Sequence, residues 1–157
     1  SITECGAYHL PKNILSSDFQ KLKSLISVGK TTVTIEIRGN NYISFGVKNG
    51  SLYGTKMEFS DSIEYEGDIY TSDFNLKIFS ILMKLPPLVT QNHIEFYSPK
   101  IKDLPLKVGV HIGCGGTLFI YIKDNKIINY EKSLDTRCEI RGHNKQSRGA
   151  MKKKKQV

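Results

Sequence analysis

Apolar residues change period along this chain, and each change marks an element. Thr31-Thr32-Val33-Thr34-Ile35-Glu36-Ile37 sets β-branched residues two apart, the pattern of a half-buried strand. Arg38-Gly39-Asn40-Asn41 reads as a turn, Tyr42–Val47 as a second strand and Leu52–Phe59 as a third. Between the last two, Lys48-Asn49-Gly50-Ser51 is a hairpin turn. Asn49-Gly50-Ser51 is formally a glycosylation sequon too, but Asn-Gly between strand-like runs favours the turn. Ahead of these strands, an extended run over Tyr8–Ile14 leads into a helix predicted over Ser17–Val28. Ser17-Asp18-Phe19-Gln20 fits a capping box at its start, and Gly29 stops it.

The same order then returns. Ser62–Tyr70 is extended, and a helix capped by Thr71 or Ser72 runs to about Leu85, where Pro86-Pro87 ends it. His93–Tyr97 is a strand. Leu106–Ile112 is another, with Leu106, Val108, Val110 and Ile112 on one face. Gly113-Cys114-Gly115-Gly116 turns the chain into a last strand, Thr117–Ile122. Two βαβββ units predict an α+β domain of antiparallel sheets with both helices on one face.

The helices differ in what they expose. In the second, Asp73, Lys77, Ser80 and Lys84 fall on one stripe, and Phe74, Ile78, Phe79, Ile81, Leu82 and Leu85 cover the rest. In the first, Phe19, Leu22, Leu25 and Ile26 face inward. Gln20, Lys23, Ser24 and Ser27 face outward, with Lys21 on the flank. The acids on these strips, Asp18 and Asp73, sit near the helix starts, and the usual Lys–Glu pairing four residues apart is missing. A solvated face and a polyanion-facing strip both account for this.

Composition sets the bounds. The chain has 157 residues, 39% hydrophobic and 24% charged, which fits one domain with a real core, or one domain and a tail. No apolar run reaches the roughly 18 residues that a membrane span needs. The sequence opens on Ser1 rather than Met and without a signal-peptide pattern, as a processed chain or a fragment does. Of the net charge of +8, residues 137–157 hold +7, so the body is nearly neutral and the end strongly basic. Lys152-Lys153-Lys154-Lys155 suits a nuclear-import or anion-binding tail, or a solvated end. Cys5, Cys114 and Cys138 form no CxxC pair, which argues against a disulfide framework or structural zinc and for reduced thiols. Cys114 lacks the His–Asp partners of a nucleophile, so no catalytic residue and no enzyme is expected. His9, His93 and His111 show no metal-ligand spacing, and no cofactor is expected.

Phe74-Asn75-Leu76-Lys77-Ile78-Phe79, followed by Lys84 and Pro87-Leu88, resembles the F-x-L-[RK]-Y-L…K-x-x-P-L helix of the proliferating cell nuclear antigen (PCNA) family of DNA sliding clamps. Leu104-Pro105-Leu106-Lys107-Val108 resembles the family's VPLVVEY strand, and Gly116-Thr117-Leu118-Phe119-Ile120-Tyr121 its GHLKYYLAPK ending. Tyr8 and the Ser17-Asp18-Phe19 helix start match the opening of the clamp's second domain. The match runs from about Tyr8 to Lys126, the carboxy-terminal half of a clamp subunit.

The resemblance implies the clamp fold over residues 1–128, with 129–157 as a basic flexible tail. It implies a nuclear, non-catalytic processivity factor for replication and repair. Such a protein encircles double-stranded DNA as a homotrimer when full length, is placed by a clamp loader, and tethers DNA polymerase and other clamp-binding peptides. Lys77 and Lys84 match basic residues of the DNA-facing helix, and Lys21 and Lys23 lie on the other lining helix. Tyr8, Pro105 and Tyr121 match positions lining the partner-peptide pocket, where Lys123-Asp124-Asn125 replaces the family's Ala-Pro-Lys. The stretch from around Ser44–Gly50 to Lys56, with Ser44, Gly46, Lys48 and Gly50, matches the subunit-interface strand. Without the clamp's first domain that edge is unpaired, and the chain alone is not expected to form a normal trimer. The alternatives are a checkpoint-type heterotrimeric clamp subunit and a non-ring peptide-binding adaptor with a basic tail.

Overall fold

The computed structural model describes residues 6–26, 30–61, 67–88, 91–113 and 115–135. In chain order the strands are β1 (Lys12–Leu15), β2 (Thr32–Arg38), β3 (Tyr42–Asn49), β4 (Leu52–Ser60), β5 (Ile69–Asn75), β6 (His93–Tyr97), β7 (Leu106–Ile112) and β8 (Gly116–Ile122). They form two antiparallel four-stranded sheets, ordered β1-β6-β7-β8 and β4-β3-β2-β5. Each βαβββ unit lends its first strand to the other's sheet. β1 pairs with β6, from Lys12↔Phe96 to Leu15↔His93, and β5 pairs with β2, from Thr32↔Asn75 to Arg38↔Ile69. The exchange interlocks the units into one body. The Asn49–Leu52 hairpin closes on Gly50 at φ 70°, a left-handed conformation glycine adopts without strain.

Four phenylalanines join both sheets to both helical segments. Phe45 of β3 lies 5.4 Å from Phe79 and 5.7 Å from Phe96 of β6, and Phe96 lies 5.9 Å from Phe19. All four are fully buried. Tilted and edge-on ring pairs at such spacings add to the ordinary gain from burial.

Both helices are shorter than their apolar patterns suggest. The first is α1 (Ser16–Gln20), which tightens at once into a 3-10 turn over Lys21–Leu25. Its buried residues, Phe19, Leu22 and Leu25, recur every third position. A helix of three residues per turn keeps them in line, whereas a 3.6-residue repeat would rotate them apart. The expected capping box does not form: Leu15 holds the N-cap position, and no side chain caps the helix. Val28 and Gly29, at the expected end, lie outside the described residues.

The second helix, α2, spans Leu76–Leu82 and starts later than the Thr71 or Ser72 cap expected from the sequence. Asn75 is the cap, its Oδ1 accepting from the Lys77 N–H at 2.9 Å. Thr71 to Asn75 belong to β5, where pairing with β2 buries Ser72 and Phe74 and turns Asp73 outward. Asp73 therefore leaves the predicted helical stripe; its Oδ1 accepts from the Thr34 hydroxyl at 2.6 Å. Ile81, expected inward, is 59% exposed.

A third helix, α3, covers 125–135 and crosses the expected domain boundary at residue 128, so residues 129–135 are helical. Asp124 caps it. Oδ1 accepts from the Ile127 N–H at 2.8 Å, while Oδ2 accepts from the Ser72 hydroxyl of β5 at 2.5 Å. The remainder of the expected tail, with Lys152 to Lys155, lies outside the described residues.

Candidate functional site

The lysines singled out in the sequence all reach solvent. Lys21 and Lys23 stand on the 3-10 turn, Lys77 on α2 and Lys84 just beyond its end. Asp18, the one carboxylate on these helical segments, accepts from Lys21 Nζ at 2.9 Å. A cavity of about 320 Å³ is lined by Ile26 and Lys30, which follow the first segment, and by Lys77 and Ser80 of the second.

The aromatic residues assigned to a peptide pocket come together from distant parts of the chain. The Tyr8 hydroxyl donates to the Pro105 carbonyl at 2.9 Å, and its ring centroid lies 6.3 Å from that of Tyr121. Lys107 stands among the rings, its Nζ 4.3 Å from the centroid of Phe119, 5.0 Å from Tyr97, 5.5 Å from Tyr8 and 6.0 Å from Tyr121. Register explains the cluster, because Tyr97, Lys107 and Tyr121 are successive partners across β6, β7 and β8 and share one face. Sequence reasoning missed Tyr97, Lys107 and Phe119; their signal was the outward half of each strand's alternation. Burial, and then the Glu95 carboxylate, push the Tyr97 hydroxyl up to about 12.

The residues of the expected polar rim lie at the start of α3. Lys123 pairs with Glu131 of α3 at 2.9 Å, Asp124 caps the same helix, and Asn125 is its first residue.

The expected interface stretch, Ser44 to Lys56, spans β3, the hairpin turn and part of β4. Ser44 and Gly46 lie in β3, hydrogen-bonded to β2 on one side and β4 on the other, so that strand has no free edge. Lys48 follows a register shift in β3, and Gly50 sits in the hairpin turn. One edge of this sheet is β4, next to β3, where Leu52 is 75% and Tyr53 39% exposed. The Tyr53 ring covers Gly46 so closely that a Cβ there would collide with it.

The same strand register assembles a group that sequence spacing hides. His93, Glu95 and His111 share the outer face of β6 and β7, with His111 Nε2 3.1 Å from Glu95 Oε1 and the two imidazole centroids 5.7 Å apart.

No family model and no curated protein matches the sequence. Solved structures do match. The chain is similar to the PCNA2-PCNA3 complex of Sulfolobus tokodaii, at 17% identity and a TM-score of 0.58, over 75% of this chain and 48% of that one. It is also similar to the proliferating cellular nuclear antigen of Entamoeba histolytica, at 22% identity and a TM-score of 0.57, over 75% of this chain and 46% of that one. The chain has the PCNA-type sliding-clamp fold and spans about half the length of these structures.

Proposed function

We propose that this chain is part of a sliding clamp, which surrounds duplex DNA without reading its sequence and holds other proteins on it. The observation that carries this reading is the charge on the helical face. Lys21, Lys23, Lys77 and Lys84 are exposed there against Asp18 alone. Separated lysines attract phosphates through weak, salt-sensitive contacts that impose no register, so the duplex can move past them. The aromatic residues of these segments, Phe19 and Phe79, are buried in the core and offer no ring for bases to stack on. The grip is topological and needs no catalytic group.

The surface around Tyr8, Pro105, Lys107 and Tyr121 then serves short peptides of DNA polymerase and of other replication and repair proteins. Aromatic rings edged by a cation suit an aromatic peptide anchor. β4, with its unpaired backbone groups, receives a strand of the neighbouring domain in a trimeric ring that a clamp loader opens. The run Lys152 to Lys155 directs the protein to the nucleus. The test is topological. Once loaded on a nicked plasmid, the whole clamp that contains this chain should stay on the closed circle and leave when the circle is cut. Equal release from circular and linear DNA would overturn the reading.

A further inference from the structure

We propose that His93, Glu95 and His111 form a binding site for one zinc ion on the outer face of the β1-β6-β7-β8 sheet. The backbone places the three groups together. In the β6–β7 register Ile94 faces Val110 and Glu95 faces Gly109, so His93 and His111 stand opposite one another. Glu95 lies two residues along β6 from His93 and therefore on the same face. Gly109, opposite Glu95, leaves that lattice point empty. A Cβ there would sit 3.2 Å from Glu95 Oε1 and 3.1 Å from the Phe119 ring. The carboxylate uses the space, and its Oε1 comes to 3.1 Å from His111 Nε2.

The distances suit a tetrahedral ion. Zinc bonds to nitrogen and carboxylate oxygen of about 2.0–2.1 Å put neighbouring ligands about 3.3 Å apart. The Glu95–His111 separation of 3.1 Å is already near that value, and one ligating atom from each of the three residues lies within 4.8 Å of the others. Binding requires the His93 ring to turn toward the other two groups. The second nitrogen of His111, Nδ1, lies 3.2 Å from the Thr117 hydroxyl on β8, which fixes the ring from behind. All three side chains are half-buried.

The donor set selects the metal. Two imidazoles and one carboxylate suit zinc and its neighbours in the transition series, whereas magnesium and calcium prefer all-oxygen shells. Three protein ligands leave the fourth position to water or to a side chain of a bound partner. Glu95 also borders the Tyr97–Lys107–Phe119 aromatic surface, so an ion held here adjoins that surface.

Zinc chloride titrated calorimetrically into the full chain, under reducing conditions, should show one site. His111→Ala and His93→Ala should each weaken that site at least tenfold, and Thr117→Val about tenfold through the lost ring support. The histidines are outside the core, and circular dichroism of each variant checks that the fold is kept. Cobalt substitution identifies the donors, because a nitrogen–oxygen set gives d–d bands without thiolate charge transfer. Failure to bind zinc overturns the proposal. So does unchanged binding in the His93→Ala/His111→Ala variant, which would place the ion elsewhere, or a thiolate–cobalt band, which would place it on a cysteine.

Discussion

Replacing Lys77 and Lys84 with alanine should weaken DNA binding by an amount that depends on salt in a calculable way. Both side chains are exposed, and the α2 cap uses the Lys77 backbone N–H rather than its ammonium, so the fold should survive. Each lysine that neutralises a phosphate releases a counterion, and the slope of log affinity against log salt changes by about 0.9 per contact. Losing both lowers the slope by about 1.8. If the two proteins converge at 1 M salt, the variant binds about 60-fold more weakly at 0.1 M and about 20-fold more weakly at 0.2 M. The basic end of the chain also attracts DNA, so the comparison belongs in a background where Lys152 to Lys155 are glutamine. Fluorescence anisotropy of a labelled duplex across a salt series measures both slopes. Coincident slopes would refute the claim that these lysines meet phosphate. A loss that varies with base sequence would refute the claim that they meet nothing else.

Three further outcomes follow from the packing. Asn75→Ala removes the α2 cap and should cost about 1 kcal/mol in urea denaturation. Gly46→Ala drives a methyl group into the Tyr53 ring and should cost about 1–3 kcal/mol. Tyr53→Ala in the same chain should restore most of that, a coupling that a double-mutant cycle would detect. Tyr97 has a hydroxyl raised to about 12 against an ordinary value near 10, so the folded state holds its proton longer than the unfolded chain. Its contribution is complete below about pH 10 and is lost as pH rises toward about 12; Tyr97→Phe should flatten that part of the alkaline unfolding curve, and an unchanged curve would count against the assignment.

Strands were legible because their alternation is local. His93–Tyr97 and Leu106–Ile112 have the bounds their sequence suggests. Helix starts were less so. Thr71 to Asn75 fits either a strand or a first helical turn over so few residues, and only pairing with β2 decides it. Tyr8, Pro105 and Tyr121 were singled out through a resemblance of motifs, and Tyr97, Lys107 and Phe119, which cluster with the two tyrosines, were missed because what unites them is position across strands. The sheet edge was hidden from the sequence for a similar cause. β3 and β4 have equally strand-like sequences, and which of them ends the sheet is a matter of strand order.

The amino-acid order alone determined most of the strands, β5 excepted, the two lysine-bearing helical segments and the repeat that relates the halves, because backbone periodicity and turn chemistry act over a few residues. Tertiary structure decided which strand has a free edge, where α2 begins, what Asp124 caps, and that two histidines and a glutamate meet on one sheet face. Those outcomes depend on the exchange of β1 and β5 between the sheets and on the register of β6 against β7, which join residues far apart in the chain.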